Sequence, residues 1–405
     1  MEKKTGRVPR LRFPEFLNQS QWTNAKFVDL IKVISPLKKL TTPTYLETGK
    51  FPIIDQSSSS VCGWTNDDES VIKEPLPIIV FGDHTCVLKL VDQPFAQGAD
   101  GIKIFAAKKG ISTTYLFYQL SHKPLKMEQY KRHFSTLKNR IVYFPDCVPA
   151  EQQKIAACLS SLDDLITAQE DKLTALREHK KGLMQQLFPQ PGETVPRLRF
   201  PEFRDAPDWK AGRCRDIANV FSGYGFPEKY QGNENGQFPF YKVSDISRVV
   251  EKGSKRISES RNYIEKDVLE KIRGKPVPTG TIIFAKIGEA IRLNRRVITT
   301  KPALIDNNTA GIKAIETNSS DEFLFYIWSN VSLIDYAGGV VPAISKSELE
   351  NIPLYYPVDP AEQQKIAACL SSLDDLISAQ EKKLAALREH KKGLMQQLFP
   401  SLDNP

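Results

Sequence analysis

Residues 149–189 read PAEQQKIAACLSSLDDLITAQEDKLTALREHKKGLMQQLFP, and residues 360–400 repeat this sequence with three changes. The changes are Thr167 to Ser378, Asp171 to Lys382 and Thr174 to Ala385. The segments in front of the two copies scarcely resemble each other. A repeat inside one chain indicates one structural unit used twice. Here the repeated unit is almost constant, whereas the segments attached to it differ.

Apolar residues in both copies follow the alternating 4-3 spacing of a coiled-coil seam. The seam residues are Ile155, Leu159, Leu162, Ile166, Leu173, Leu176, Leu183 and Leu187 in the first copy, and Ile366, Leu370, Leu373, Ile377, Leu384, Leu387, Leu394 and Leu398 in the second. Two polar residues interrupt each seam, Gln169 and Lys180 in the first and Gln380 and Lys391 in the second. The pattern predicts two helices of roughly 55 Å, at ~1.5 Å per residue, that pair with each other.

Both predicted helices have clear end signals. Each begins at a proline and ends at Phe-Pro, because proline fits the first turn of a helix but cannot continue one. Asp359 is the expected N-cap of the second helix. We interpret Glu151, two residues into the first helix, as part of a helix cap.

A second repeat, VPRLRFPEF, predicts how the helices lie. It occurs at Val8–Phe16 and at Val195–Phe203, and only Gln190–Thr194 separate the first helix from its second copy. The ends of a compact domain lie close together, so the segment between the helices should bring the end of one beside the start of the other. We therefore expect antiparallel helices and a pseudo-two-fold, nearly circular chain. The first VPRLRFPEF copy should then lie near the end of the second helix.

These repeats divide the chain into four parts and predict an α+β fold. The parts are a first variable domain at 1–148, the first helix at 149–189, a second variable domain at 190–359 and the second helix at 360–405. Both variable domains show a buried strand pattern, at 76–81 and 281–284, and later a helical pattern, at 115–120 and 322–328. Three short matches indicate one fold with two different surfaces: Phe51–Ile53 with Phe238–Phe240, Gly101–Lys103 with Gly311–Lys313, and Leu116–Tyr118 with Leu324–Tyr326.

Positive charge is concentrated in the second variable domain. The net charge of the chain is +8, and Arg248–Lys301 alone contains 14 Lys or Arg against six Asp or Glu. Arg292, Arg295 and Arg296 occur close together in this stretch. Such a density favours contact with phosphate oxygens and therefore with a nucleic acid.

Other sequence features argue against membrane, metal and catalytic roles. No apolar run approaches the ~20 residues of a membrane span, and the first residues lack the apolar core of a secretory signal. The six cysteines form no CxxC pair, so we expect reduced thiols in a cytoplasmic protein and no metal site. We assign no catalytic residue, because the chain has no phosphate-binding loop, dinucleotide fingerprint or Asn/Asp-Pro-Pro-Tyr motif.

Two unlike domains alternate with two near-identical helices that each start Pro-Ala-Glu-Gln-Gln-Lys-Ile. This organisation resembles the specificity subunit of a type I restriction-modification system over nearly the whole chain. The approach to each helix, at Val142–Pro145 and Ile352–Pro357, is the most specific local match. Target-recognition domains of the family are matched at Phe238–Ile246 and Gly280–Gly288, and more loosely at 82–85 and 98–103.

The resemblance implies a non-catalytic DNA-recognition subunit. Each target-recognition domain would read one half of a bipartite, asymmetric site in double-stranded DNA. The helices would set the spacing and bind two modification subunits, which bring S-adenosylmethionine and methylate adenine. Two restriction subunits would add translocation and cleavage that depend on ATP and Mg²⁺. The chain itself is expected to bind no cofactor.

Charge, loop placement and the partial motif match select candidate DNA-binding residues. In the first domain they are Gln56, Ser58, His84, Lys89, Lys103 and Arg132. In the second domain they are Lys242, Ser244, Lys286, Arg292, Arg295, Arg296 and Lys346. Contacts to phosphates should position the protein, and a few side chains should read base edges.

Three alternatives stay open from the sequence. The chain could be a self-sufficient DNA-modifying enzyme with unrecognised catalytic residues. It could instead be a coiled-coil scaffold whose variable domains bind proteins. The long helices could also pair between two chains rather than within one.

Overall fold

Each of the two long helices is continuous and begins at the expected proline. The computed structural model describes residues 8–36, 38–98, 101–128, 131–145, 148–190 and 192–400. The chain divides into one unit of residues 1–168 and 384–405 and another of residues 169–383. Each unit therefore contains one variable domain together with part of both long helices.

The first unit holds the strand and helix expected at 76–81 and 115–120. Its elements are β1 (Thr23–Lys26), α1 (Phe27–Leu30), β2 (Ile31–Ile34), β3 (Phe51–Ile54), β4 (Gly63–Thr65), β5 (Val71–Ile72), β6 (Ile78–Gly82), β7 (Leu88–Val91), β8 (Phe95–Gln97), β9 (Ile102–Ala107), α2 (Thr113–His122), α3 (Phe134–Lys138), β10 (Ile141–Phe144) and the first part of the long helix α4 (Pro149–Leu187). The predicted strand corresponds to β6 and the predicted helix to α2.

The second unit likewise holds the strand and helix expected at 281–284 and 322–328. After α4 come β11 (Lys210–Arg213), α5 (Cys214–Ile217), β12 (Ala218–Ser222), β13 (Phe238–Tyr241), α6 (Val243–Glu251), β14 (Arg256–Ile257), β15 (Tyr263–Ile264), α7 (Lys266–Lys271), β16 (Ile282–Ala285), β17 (Arg296–Thr299), β18 (Leu304–Ile305), β19 (Thr309–Ala314), α8 (Asp321–Ser329), α9 (Lys346–Asn351), β20 (Pro353–Tyr356) and the long helix α10 (Pro360–Leu398). The predicted pair corresponds to β16 and α8.

The two variable domains share one sheet topology. The main sheet has the order β2-β9-β6-β7 in the first domain and β12-β19-β16-β17-β14 in the second. A smaller sheet joins β3 to β8 in parallel, as β13 joins β18, and an antiparallel pair links β1 to β10 as it links β11 to β20. The prediction of one fold used twice is confirmed. The second domain adds β14 to its main sheet.

Backbone pairing corrects one of the three sequence matches between the domains. In the first domain, Gly82 on β6 is opposite Ile102 on β9. In the second domain, Ala285 on β16 is opposite Thr309 on β19. Gly101 therefore corresponds to Asn308, and the match of Gly101–Lys103 with Gly311–Lys313 is wrong by three residues. Short sequence identity carries no information on which residues face each other across strands.

The hydrophobic core of each unit includes both long helices. In the first unit, Ile155 and Leu159 near the start of α4 share a buried cluster with Leu398 at the end of α10. In the second unit, Leu187 at the end of α4 shares a cluster with Ile366 near the start of α10. The helices are therefore antiparallel and pair within one chain, as predicted. All the predicted seam residues are buried or half-buried.

Polar residues of the seam pair with one another across the helices. The Gln380 side-chain amide donates hydrogen bonds of 3.0 Å to both the backbone carbonyl and the side-chain oxygen of Gln169. Lys180 forms an ion pair with Asp374, and Lys391 forms the equivalent pair with Asp163. A slipped register would leave these groups without partners, so they specify the register of the pair.

The same two aspartates attach each variable domain to the helices. Asp163 accepts a hydrogen bond of 2.7 Å from the Tyr118 hydroxyl on α2. Asp374 accepts one of 2.6 Å from Tyr326 on α8 and another of 3.2 Å from Lys255. Burial and the neighbouring carboxylate raise the pKa of each tyrosine well above its ordinary value. Burial alone would raise the pKa of Asp374, but its hydrogen-bonded partners lower it overall.

An arginine from each VPRLRFPEF copy binds a buried glutamate at the start of a long helix. Arg12 donates two hydrogen bonds of 2.7 Å to Glu151, which also lies 3.4 Å from the Trp22 indole nitrogen. Glu151 is fully buried and its carboxylate binds side chains of the preceding domain, so the structure gives it a tertiary role and not the capping role that we inferred. Asp359, in contrast, caps α10 through a hydrogen bond of 2.8 Å from the Ala361 N–H, as expected.

The second unit repeats this arrangement. Arg199 donates two hydrogen bonds of 2.7 Å to Glu362, which accepts a third of 3.1 Å from the indole of Trp209. In the first unit, the residue before the arginine also contacts a long helix, because the Leu11 N–H donates to the carbonyl of Gln397. The first VPRLRFPEF copy therefore lies at the end of α10, as predicted.

Asp374→Asn is expected to lower the free energy of unfolding of the second unit by about 2 kcal/mol, because an amide cannot balance Lys180 and Lys255. Asp163→Asn should cost the first unit less, since Asp163 is 38% exposed against 19% for Asp374 and, among the described residues, forms an ion pair only with Lys391. Denaturant titration with hydrogen exchange would resolve the two units. The exposed Asp375→Asn is the control, with a change within about 0.5 kcal/mol. Equal losses for the two aspartates would contradict the role of Lys255.

Candidate nucleic-acid interface

Loops of the first domain meet around Gln56, which follows β3. The Gln56 carbonyl accepts a hydrogen bond of 2.7 Å from the Thr85 hydroxyl. Gly101 has φ +95°, a conformation that favours glycine, and a Cβ there would lie 2.8 Å from the Gln56 amide nitrogen. Ser58 is exposed and His84 half-buried on the same loops. The structure therefore brings three predicted candidates together.

Asp83 connects this group to Lys103 and Arg132. Its N–H donates 2.7 Å to the Gly101 carbonyl, and its carboxylate accepts 2.8 Å from the N–H of Phe134. The Lys103 ammonium lies 6.0 Å from the centre of the Phe134 ring. Arg132, two residues earlier, is exposed. Gln56, Ser58, His84 and Arg132 thus lie on connected loops, and Lys103 lies beside them at the start of β9. Within the predicted 98–103 motif, residues 99 and 100 lie outside the described residues.

Lys89 has a structural role, and its contribution to DNA binding stays a prediction. Its side chain is only 11% exposed. The ammonium donates hydrogen bonds to the carbonyls of Asp55 at 2.9 Å and Ser59 at 2.5 Å. Burial lowers the pKa of Lys89, although the Asp55 carboxylate opposes this effect. Lys89 therefore fixes the loop that carries Gln56.

Lys286 lies where three loops of the second domain join. Its N–H donates 2.8 Å to the carbonyl of Asn308, and its own carbonyl accepts 2.9 Å from the N–H of Ile344. Gly288 N–H donates 2.7 Å to the carbonyl of Pro342. The turn after β16, the turn before β19 and the loop before α9 therefore form one hydrogen-bonded group, referred to below as the three-loop surface.

The remaining lysine and serine candidates belong to neighbouring segments. Lys346 is exposed at the start of α9 and forms an ion pair of 3.5 Å with Glu350. Ser244 is exposed in the first turn of α6. Lys242, just before α6, donates 2.5 Å to the side chain of Gln231. These positions are compatible with contacts to DNA.

The arginine cluster is not one basic surface, because Arg296 is buried, and its predicted contact with DNA stays a prediction. Arg296 is 5% exposed, since it opens the buried strand β17. Its guanidinium donates to the carbonyls of Asn294 at 2.9 Å and Val331 at 2.6 Å. Burial lowers the pKa of Arg296 to about 9. Its place in the core makes it unsuitable as a probe of DNA binding.

Arg292 and Arg295 are more accessible, but both already have anionic partners. Arg292 donates 2.8 Å to Glu289, and Arg295 donates 2.9 Å to Glu251. Their contribution to DNA binding stays a prediction. The sequence count of positive charge therefore overstates the number of unbalanced cations in this region.

Sequence reasoning did not select two exposed tips on the three-loop surface. Asn307 and Asn308 are exposed at the turn between β18 and β19. Val340 and Val341 are exposed at the end of the loop before α9. The signals that could have found them are the Asn-Asn pair between two apolar strands and the Gly-Gly pair before the valines, both typical of turns.

The chemistry of these surfaces is that of hydrogen bonding rather than metal binding. They present ammonium, guanidinium, amide and hydroxyl groups, which can donate to phosphates and base edges. Within the described part of the chain, no group of His, Cys, Asp and Glu could hold a metal ion. Cys62, Cys86, Cys158, Cys214 and Cys369 are free thiols, while Cys147 lies outside the described residues. No helix among the described residues is long and apolar enough to cross a membrane.

Comparison with known proteins gives matches over both domains. The family model described as type I restriction modification DNA specificity domain matches residues 207–389. The type I restriction enzyme MjaIX specificity subunit of Methanocaldococcus jannaschii is 25% identical over 317 residues, covering 74% of this chain and 71% of the relative. The MjaVIII specificity subunit of the same organism is 25% identical over 335 residues, covering 75% of this chain and 76% of the relative.

Solved structures support the fold. The S subunit of a type I restriction-modification system from M. genitalium has a TM-score of 0.64 at 16% identity, covering 98% of this chain and all of that one. A chain from a structural study of complex assembly and conformational transition of the type I R-M system has a TM-score of 0.55 at 14% identity, covering 94% and 98%. With the family model over residues 207–389 and the curated relatives, these findings show that the chain is similar to type I restriction-modification specificity subunits.

Proposed function

We propose that this chain recognises a bipartite sequence in double-stranded DNA, with each variable domain reading one half. The observation that carries the proposal is a shared backbone frame. Asp83 N–H donates to Gly101 and its carbonyl accepts from His133, as Lys286 N–H donates to Asn308 and its carbonyl accepts from Ile344. One frame that presents different side chains suits two readers of different base sequences.

The helix pair would keep the two half-sites at a constant separation. Its register depends on the Gln169–Gln380 contact and on the two lysine–aspartate pairs between the helices. Tyr118 and Tyr326 attach one domain each to those aspartates. Half-sites about one helical turn apart, roughly 34 Å, would suit two domains on one face of the DNA.

A duplicated face on the long helices would bind two modification subunits. The face is outside the seam and exposed in both copies, and it comprises Ser161, Asp164, Leu165 and Ala168 in α4 and Ser372, Asp375, Leu376 and Ala379 in α10. Leu165 is 40% and Leu376 55% exposed. None of the residues of this face is among the three positions that differ between the copies. Two identical surfaces suit two copies of one partner.

Catalysis would then belong to the partners. The modification subunits would bind S-adenosylmethionine and methylate adenine, and two restriction subunits would use ATP and Mg²⁺. Two observations support this division: the relatives are named specificity subunits, and the sequence has no phosphate-binding loop, dinucleotide fingerprint or Asn/Asp-Pro-Pro-Tyr motif. A self-sufficient DNA-modifying enzyme and a protein scaffold are the competing functions.

The chain co-expressed with its modification subunits is expected to produce adenine methylation at one bipartite motif with a fixed gap. Single-molecule sequencing of host DNA that reports methylated adenine would identify both half-sites. Modification subunits without the chain should give no such motif. Methylation by the chain alone would instead support the self-sufficient enzyme, and a stable complex without DNA binding would support the scaffold.

Lys286→Ala is expected to weaken specific DNA binding of the complex about ten-fold and to reduce the salt dependence of binding by the equivalent of about one phosphate contact. Fluorescence anisotropy over a salt series would measure both quantities. The control is Lys210→Ala, which removes an exposed lysine on β11 of the same domain. An unchanged salt slope in Lys286→Ala would exclude a phosphate contact by this residue.

The variant Leu165→Asp is expected to form a complex with one modification subunit instead of two. The double variant Leu165→Asp with Leu376→Asp is expected to bind no modification subunit. A charge placed in an apolar contact is costly to desolvate. Native mass spectrometry would count the subunits. Leu17→Asp, at a leucine that is 62% exposed outside the helices, should retain both. Full assembly by the double variant would show that the partners bind elsewhere.

A further inference from the structure

The first tip of the three-loop surface is a rigid turn that exposes an amide. The Thr309 N–H and hydroxyl donate 2.9 and 2.7 Å to the carbonyl of Asp306 and close the turn. Asp306 is 7% exposed, so the base of the turn is anchored in the domain. Asn307 is exposed at its end, and its side chain makes no hydrogen bond to the residues that the structure describes. Its amide is therefore available to a ligand.

The second tip is a short hairpin that exposes two apolar side chains. Gly338 and Ala343 exchange two backbone hydrogen bonds of 3.0 Å, and Pro342 accepts a third from Gly288. Val340 and Val341 lie between these bonds, and Val340 is fully exposed. A hairpin held in this way cannot fold its valines back onto the protein. Apolar surface kept in water is unfavourable and suits contact with a partner.

Backbone hydrogen bonds place the two tips on either side of Lys286. Its N–H binds the Asn308 carbonyl in the first tip, and its carbonyl binds Ile344 at the base of the second. One small surface thus offers an amide, two branched apolar side chains and an ammonium group. An amide can pair with the edge of adenine, apolar side chains contact the methyl group of thymine, and an ammonium group binds phosphate.

We propose that Asn307 and the Val340–Val341 pair are the specificity-determining residues of the second domain. Asn307 hydrogen-bonds the major-groove edge of an adenine, and the valines pack against a thymine methyl group in the same half-site. The inference rests on the proposed function and identifies which side chains carry out the reading. It also predicts that the half-site read by this domain contains neighbouring A·T pairs.

The test uses the complex of the full chain with its modification subunits, and it reads the methylated motif. Asn307→Ala is expected to reduce discrimination at one A·T position of one half-site about ten-fold or more, with the other half-site and the gap unchanged. Asn307→Asp, which replaces the donor by a second acceptor, should shift the preference at that position toward C·G. Val340→Ser combined with Val341→Ser should relax a neighbouring position of the same half-site.

Matched controls are Asn219→Ala and Val358→Ser, which change an exposed asparagine on β12 and an exposed valine before α10. Both should retain the original motif. An unchanged motif in every tip variant would overturn the proposal. Loss of modification-subunit binding by the valine variant, measured by native mass spectrometry, would also overturn it by assigning the hairpin to a protein contact. Absence of any motif from the unmodified chain would contradict the proposed function itself.

Discussion

The structure depends on one aspartate in each long helix that binds a lysine of the other helix and a tyrosine of a variable domain. Asp163 and Asp374 occupy the same position of the repeat. Each carboxylate therefore helps to fix both the register of the two helices and the position of a variable domain on them. Since the acceptor is shared, a shift of the helices would also cost the domain its hydrogen bond. Spacing between the helices and placement of each domain are thereby coupled through a single side chain.

The near-identity of the repeats has a physical counterpart in the burial of their polar residues. Glu151 and Glu362 are buried, and each takes two hydrogen bonds from an arginine of the VPRLRFPEF segment. Removing one member of such a pair leaves a buried charge, which costs far more than losing an exposed one. Most single changes at these positions would therefore destabilise the protein. The three changes that do occur between the copies are at positions where every residue is exposed except Ser378, which is half-buried.

The sequence predicts the parts of the fold that repeat at regular spacing, and it fails where tertiary packing decides. Heptad spacing and terminal prolines locate both long helices. Adjacent arginines show the limit, because Arg295 forms a surface ion pair whereas Arg296 is buried against backbone carbonyls. Charge alone does not reveal that a strand begins between them. The loops around Gln56 could be found from the family match. Turn signals mark the loops of Asn307 and Val340, but they do not reveal that these side chains are exposed, because the exposure follows from backbone hydrogen bonds between distant segments.

The shared backbone frame around Asp83 and Lys286 makes the stability of these loops largely independent of which side chains they carry. In both domains the loops are joined through main-chain N–H and carbonyl groups, which every residue except proline possesses. Substitutions at the exposed tips should therefore be nearly neutral for folding. A lineage of such chains can sample new tip residues without passing through unfolded intermediates. The capacity of this chain to evolve new side chains at the tips would then be a property of its backbone. The long helices would be the part that tolerates substitutions least.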